Sequence, residues 1–390
     1  MTKLRARHYQ TGIVHDYVLE QGHIASMATS SAECEEIIAP AYFDLQINGG
    51  LGINFTSDQL TLEQINTVVE RLAASGVATF YPTVITSSSA TITAACRSLV
   101  QARCASPVLE QALPGIHLEG PFISAEDGPR GAHPREFVQT VDAAKFHRWQ
   151  EAADGLIRLV TLAPELPGAI PFIELLVKQG IVVSIGHSAA SPATIRDAVR
   201  AGARLSTHLG NGCARQLPRH ENLLWEQLAC DDLWASIIPD GHHLPWHFVQ
   251  CVERCKTLDR IIITCDCSPL AGLPAGKYPA WDSTMEVLPE GKIILREQGV
   301  LAGSWDFTAS CVEKYAQARG LSYAAVHRLV SDQPRALLGY PIPTLAEGQS
   351  SDVVVLRTDE QGIVRHTRSF IRGQWHPYSA SARQPGAVAH

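Results

Sequence analysis

The sequence has no apolar run approaching the roughly 20 residues that cross a bilayer. Its longest stretches are short, such as Ile261-Ile262-Ile263, which argues against a membrane-spanning protein. It has no basic block either. The 32 Lys and Arg and the 39 Asp and Glu are spread along the chain, for a net charge of −7. That excludes the usual electrostatic footprints of nucleic-acid and membrane-surface partners. The first residues, Met1-Thr2-Lys3-Leu4-Arg5-Ala6-Arg7-His8, lack the apolar segment of a signal peptide, so a cytoplasmic location is expected. Ten cysteines in 390 residues are too sparse for a disulfide scaffold and are expected to be reduced. Cys265-Asp266-Cys267 lacks both the two-residue spacer and the partner pair of a zinc-binding cysteine motif.

What is present is a periodic architecture. Apolar residues make up 45% of the chain, enough for a large core. Near-continuous apolar runs predict strands at 38–48, 78–85, 113–118, 156–162, 181–185, 204–208, 234–239 and 260–265, as expected of strands buried on both faces. Helical patterns fall between them, at 60–74, 90–102, 136–153, 169–179, 192–201, 222–229 and 245–258. Ser191-Pro192 marks a helix start, and Gly76, Gly180 and Gly202 mark stops. A Gly- and Pro-rich insert spans 269–300, followed by helices near 307–319 and 323–330.

Eight strands alternating with helices predict an α/β chain with a (β/α)8 TIM barrel. A doubly wound sheet would place its site at one switch point and would not gather residues from four separate strands. Short β-like pieces at 12–19 and 22–27, and at 352–356, 362–367 and 369–375, predict a small β-sandwich domain built from both termini. The expected boundaries are 1–40 with 345–390 for that domain and 41–344 for the barrel. Residues 379–390, rich in Ala, Gly, Pro and Ser, are expected to be disordered. No repeat beyond the βα unit is visible.

Four predicted strands end in residues suited to metals. Gly115-Ile116-His117-Leu118-Glu119-Gly120-Pro121 closes the third, Gly186-His187-Ser188 the fifth, Thr207-His208-Leu209 the sixth and Cys265-Asp266 the eighth. Glu119, His187 and His208 offer one carboxylate and two imidazoles, a three-ligand set with an open position that suits a catalytic zinc or similar divalent ion. Such an ion lowers the pKa of water towards ~7, and Asp266 is placed to carry the proton. A lone histidine after a strand is most often only a satisfied polar residue; four such positions in one barrel are not.

The matching strings run nearly end to end: Phe43-Asp44-Leu45-Gln46-Ile47-Asn48-Gly49, Tyr81-Pro82-Thr83, Gly115 through Phe122, Gly131-Ala132-His133, Val160-Thr161-Leu162-Ala163-Pro164-Glu165, Asp240-Gly241-His242-His243 and Leu301-Ala302-Gly303-Ser304. With them the chain resembles the N-acetylglucosamine-6-phosphate deacetylases of the amidohydrolase superfamily. The resemblance implies an N-acetyl amino sugar as substrate and acetate as product. Glu119, His187 and His208 match the metal ligands and Asp266 the catalytic aspartate. His133 matches the group that polarises the amide carbonyl, and Ala132 shares its sugar-contacting loop. Asn211 matches a substrate contact. Arg219 and His243 match groups that reach ring hydroxyls or phosphate. In the family the arginine can come from a neighbouring subunit, so a homodimer is implied. Gln46 and Asn48 stand where many amidohydrolases carry a His-X-His pair. Amides are poor zinc ligands, so one ion per chain is expected, Zn2+ first and Fe2+ as the alternative. His117 shares a strand face with Glu119 one layer deeper, which suits a supporting role.

The departures from the family lie on the sugar side. They are Gly210-Asn211-Gly212-Cys213, Cys265-Asp266-Cys267 and the segment 215–225. The two glycines either tighten a turn or make room for a different sugar. The competing functions are an amidohydrolase of unphosphorylated N-acetylhexosamines or other N-acyl compounds, and a silent binding protein on the same scaffold. Retention of Asp266 argues against the silent protein.

Overall fold

The computed structural model describes residues 1–280 and 283–378; the expectation for 379–390 lies outside them. Eight parallel strands follow one another around a barrel in sequence order. They are β1 (Tyr42–Ile47), β2 (Val77–Ile85), β3 (Ile116–Glu119), β4 (Ile157–Leu162), β5 (Val182–Ile185), β6 (Leu205–Ser206), β7 (Trp234–Ile237) and β8 (Ile261–Ile263). The ring closes just beyond β8, where Ile47 bridges Cys267 in parallel and Asn48 N–H donates to Cys267 O at 3.1 Å.

Asp44 fastens that seam from inside. Its carboxylate accepts from Gln46 N (3.1 Å), Thr264 Oγ1 (2.5 Å), Cys265 N (3.0 Å) and Thr308 Oγ1 (2.8 Å). Burial pushes this carboxyl up and the four donors pull it down, with burial ahead. Inside the barrel, Phe43, Leu45, Tyr81, Leu159, Leu205 and Ile262 form one apolar cluster. Their period-2 spacing in β1 places them on one face. Leu337, Leu338 and Tyr340, from the end of a helix at Asp332–Leu338 and just beyond it, pack against that cluster.

The helices begin where capping chemistry starts them. Thr61 and Gln64 form a capping box at Leu62–Ala74. Ser191 caps Pro192–Ala201, with Pro at the first turn and Gly202 at φ +113° ending it. The predicted helix at 136–153 is shorter. A 3-10 turn occupies Arg135–Phe137, and the α-helix covers only Ala143–Ala152, started by Asp142 accepting from Lys145 N. Helices at Pro107–Ala112 and Asp332–Leu338 were not expected. The insert after β8 is an antiparallel four-stranded sheet (Gly276–Ala280, Ser283–Val287, Lys292–Leu295, Val300–Ser304) with its own small core around Met285, Ile293 and Trp305.

A separate seven-stranded sheet unites the termini. Its order is Gln374–Pro377, Val364–Ile371, Val353–Thr358, Ile37–Pro40, Thr2–His8, Val14–Glu20 and His23–Thr29. The two chain ends meet where Pro40 pairs with Val353. Leu4, Tyr17, Leu19, Ile24, Val355 and Phe370 form its core. The architecture is therefore a TIM barrel with a terminal β domain, as the sequence predicts. All ten cysteines are unpaired. No helix among the described residues is long and apolar enough to cross a membrane.

Candidate active site

The ends of the barrel strands surround a cavity of about 280 Å³. Glu119 is the last residue of β3, and His187, His208 and Asp266 lie two or three residues beyond β5, β6 and β8. The three follow-on residues all have left-handed backbone, with φ +50°, +31° and +48°. Non-glycine residues rarely adopt that region, and strain of this kind concentrates at functional sites. Here it turns three side chains back over the barrel mouth.

The donor atoms converge. His208 Nε2 lies 3.0 Å and His187 Nε2 3.3 Å from Glu119 Oε1, and the two Nε2 atoms are 3.1 Å apart. His187 Nδ1 sits 2.9 Å from Pro129 O. A carbonyl only accepts, so that nitrogen carries the hydrogen and Nε2 presents its lone pair inward. Ligands on a tetrahedral zinc with bonds of ~2.0–2.1 Å stand roughly 3.3 Å apart. The three atoms match that spacing, so the set fits a divalent ion. Burial disfavours ionised Glu119, but its contacts with the two imidazoles outweigh it and hold the carboxyl well below its usual range. His133 borders the same cluster: its Nε2 is 3.2 Å from His187 Nε2 and 3.9 Å from Glu119 Oε2. Glu119, His133 and His187 thus form a second, looser candidate trio.

The amides of β1 serve the carboxylates. Gln46 Nε2 donates to Glu119 Oε1 at 2.9 Å, and Asn48 Nδ2 donates to Asp266 Oδ1 at 2.7 Å. Asp266 is buried, and that burial, followed by the negative charge of Glu119, pushes it up to about 7. His243 faces the same cavity. Its Nδ1 is 2.7 Å from Asp240 Oδ2, while Asp240 Oδ1 accepts from the backbone N–H groups of His242 and His243 at 2.8 Å each. Burial opposes the charged ring, but Asp240 outweighs it and raises His243. His117 lies beneath the cavity, where its Nε2 meets Thr161 Oγ1 at 2.7 Å. A hydroxyl chain continues to Thr207 (2.7 Å) and Ser184 (2.5 Å). Burial above all pushes His117 down to about 4.

Of the residues singled out in the sequence, Glu119, His187, His208, Asp266, His133, Ala132, Asn211 and His243 all line this cavity. Arg219 does not: it is exposed, and its carbonyl accepts from Trp225 Nε1 at 3.2 Å. Arg215 lines the rim instead, with one guanidinium nitrogen 3.1 Å from both Gln298 O and Gly299 O. Gly210 and Gly212 have φ +98° and +58°, which favours the tight-turn reading. A Cβ on Gly210 would lie 2.8 Å from Phe248 and 2.9 Å from Leu244, so the space of a larger residue is already filled. Sequence reasoning missed Asp240, whose signal was its place two residues before His242, as in an Asx turn. It also missed Asp44, which makes the same local turn contact with Gln46 N, and Thr86, which carries no local signal.

No family model matches the chain. Among curated proteins, it is 30% identical over 324 residues to an N-acetylgalactosamine-6-phosphate deacetylase of Escherichia coli O157:H7, covering 82% of this chain and 84% of the relative. It is 32% identical over 369 residues to the N-acetylglucosamine-6-phosphate deacetylase of Bos taurus, covering 91% and 86%. Among solved structures, the N-acetylglucosamine-6-phosphate deacetylase of Thermotoga maritima superposes with a TM-score of 0.82 at 26% identity, covering 97% of this chain and 99% of that one. The Mycobacterium smegmatis enzyme shares the fold with a TM-score of 0.85 at 24% identity, covering 96% and 100%. With its barrel fold and most of its length in common with these relatives, the chain belongs to the N-acetylglucosamine-6-phosphate deacetylase family of the amidohydrolase superfamily.

Proposed function

We propose that this chain hydrolyses the acetamide of N-acetylglucosamine 6-phosphate, releasing acetate and the amino sugar phosphate, with one divalent ion per chain, zinc before ferrous iron. The observation that carries the reading is the convergence of Glu119, His187 and His208 within 3.3 Å of one another, beside a buried Asp266 in one cavity. A non-catalytic binder has no use for the aspartate.

Glu119, His187 and His208 would hold the ion. When bound, it supplies Lewis acidity, polarising a carbonyl and lowering the pKa of water. The chain's own residues do the rest. Asn48 occupies Asp266 Oδ1, which leaves Oδ2 to take a proton and later return it to the departing amine. His133 donates to the amide oxygen as negative charge grows there. Asp240 engages Nδ1 of His243, so Nε2 is the nitrogen left for a ring hydroxyl or phosphate. Ala132 and Asn211 complete the sugar contacts.

We further place the enzyme in the cytoplasm, where its unpaired cysteines suit a reducing compartment, and read it as a homodimer. Trp225 is 55% exposed beside exposed Arg219; a partner subunit would cover the indole and receive the arginine. The position of Arg219 favours one second reading. If no partner receives it, the substrate is an unphosphorylated N-acetylhexosamine. The test is acetate release from N-acetylglucosamine, N-acetylgalactosamine and N-acetylmannosamine, each with and without 6-phosphate. A preference for the phosphorylated glucosamine supports the proposal. Preference for free sugars moves it to the second reading, and no release from any sugar ends both.

A further inference from the structure

His133 can act at this site in two incompatible ways. As a metal ligand it must present a bare Nε2. As a donor to the substrate it must carry hydrogen there. A neutral imidazole has one N–H, so the partner of the other nitrogen decides. That partner is Thr86, the residue immediately after β2, whose Oγ1 lies 2.8 Å from His133 Nδ1.

We propose that Thr86 is a positioning residue that donates its hydroxyl hydrogen to His133 Nδ1, fixing the proton on Nε2 and making His133 a donor rather than a ligand. This rests on the deacetylase reading, in which His133 donates to the amide oxygen.

Three observations carry it. Thr86 is 1% exposed, and His133 Nδ1 is the sole hydrogen-bond partner of its hydroxyl among the described residues. Were the hydroxyl only to accept, its own hydrogen would be buried without a partner, which is more costly than an unfilled lone pair. The hydroxyl is also boxed in: a Cβ on Gly120 would lie 2.2 Å from Thr86 Oγ1, so this neighbour must be glycine. Finally, the other end of the ring meets an acceptor. His187 Nε2, 3.2 Å from His133 Nε2, is bare because His187 Nδ1 donates to Pro129 O. An N–H on His133 Nε2 completes a chain from Thr86 through His133 and His187 to the Pro129 carbonyl. Binding of an ion by His187 Nε2 would release the His133 N–H towards the cavity. The looser trio containing His133 then does not hold the ion, and His208 supplies the third ligand.

The test begins with the full chain carrying 15N-histidine, stripped of metal and then given one equivalent of Zn2+, with the His133 signals assigned by their loss in His133→Gln. The expected spectrum has the hydrogen on Nε2 of His133 in both states, while His187 and His208 respond to zinc. A hydrogen on Nδ1, or a His133 Nε2 that shifts as a ligand does, overturns the proposal. In parallel, Thr86→Val should lower kcat about tenfold, the worth of one hydrogen bond, with KM and bound zinc unchanged, and Thr86→Ser should restore it. An unchanged kcat in Thr86→Val also overturns it. Should Thr86→Val not fold, the wild-type spectrum still decides. The spectrum needs no substrate, so failure of the deacetylase reading would show separately, as a wild-type chain that releases no acetate.

Discussion

Asp44→Asn should destabilise the protein while changing no atom count in the barrel seam. The carboxylate receives two donors on each oxygen: Gln46 N and Thr264 Oγ1 on Oδ1, Cys265 N and Thr308 Oγ1 on Oδ2. An amide has one oxygen, so one pair of donors must face NH2. The threonine in that pair can rotate and accept; Thr264 has Gln46 O at 3.3 Å as an alternative acceptor. The backbone N–H in that pair cannot rotate. A buried unsatisfied donor costs ~1–3 kcal/mol, and the surviving bonds lose their charge assistance, for a total of about 2–4 kcal/mol. At roughly 2 °C per kcal/mol for a chain of this size, the melting temperature should fall by about 4–8 °C. Calorimetry of the metal-loaded enzyme measures this. A thermodynamic cycle sharpens it: Thr308→Val should cost less in the D44N background than in wild type, because the bond it removes is already weakened. A D44N variant within about 0.5 kcal/mol of wild type, the usual range for a neutral surface change, or strict additivity with Thr308→Val, would refute this account of the seam.

The purified chain should carry about one divalent ion, as a single three-ligand site allows; elemental analysis finding two tightly held ions would bring Gln46, Asn48 or His117 into coordination and contradict it. Asp266→Asn should lose ~10² to 10⁴ of turnover, as expected for a general acid–base, with metal content intact; a variant keeping a tenth of the rate would assign the proton to another group. Asp266 works in its ionised form, and burial with Glu119 pushes it up to about 7. Turnover should therefore fall as pH drops through that region, and a bound cation should move the limb downward. An acid limb lying above pH 7 in the metal-loaded enzyme would rule out Asp266 as its source.

Much of this molecule could be read in advance, for identifiable reasons. Strands buried on both faces leave continuous apolar runs, so all eight barrel strands were visible. Their spacing located Glu119, His187, His208 and Asp266. The segment 136–153 misled because its apolar spacing continues through a polar loop, although Asp142 three residues before Lys145 was a legible cap. Thr2–His8 was missed despite alternating Leu4 and Ala6 inward with charged residues outward. Thr86 was not legible at all, and Asp44 only through its turn contact with Gln46 N. Their distant partners lie 47 and 220 positions away, and nothing local distinguishes a threonine or aspartate that will find such a partner. Arg219 was matched only through the family resemblance, and the chain folds it outward.

Six of the residues lining the cavity are glycines, so part of its wall is bare main chain. Such a wall cannot be trimmed, because there is nothing to remove. It can hardly be built upon either: an added methyl would meet His187 at Gly131 and Gly212, and the Asp266 carbonyl at Gly303. Only at Gly299, where the nearest group is the Arg215 guanidinium at 3.7 Å, does a new side chain have room. Evolution or a protein engineer seeking another sugar for this barrel would therefore find point changes at most of these glycines closed. The route left open at those positions is to re-route the loops that carry them.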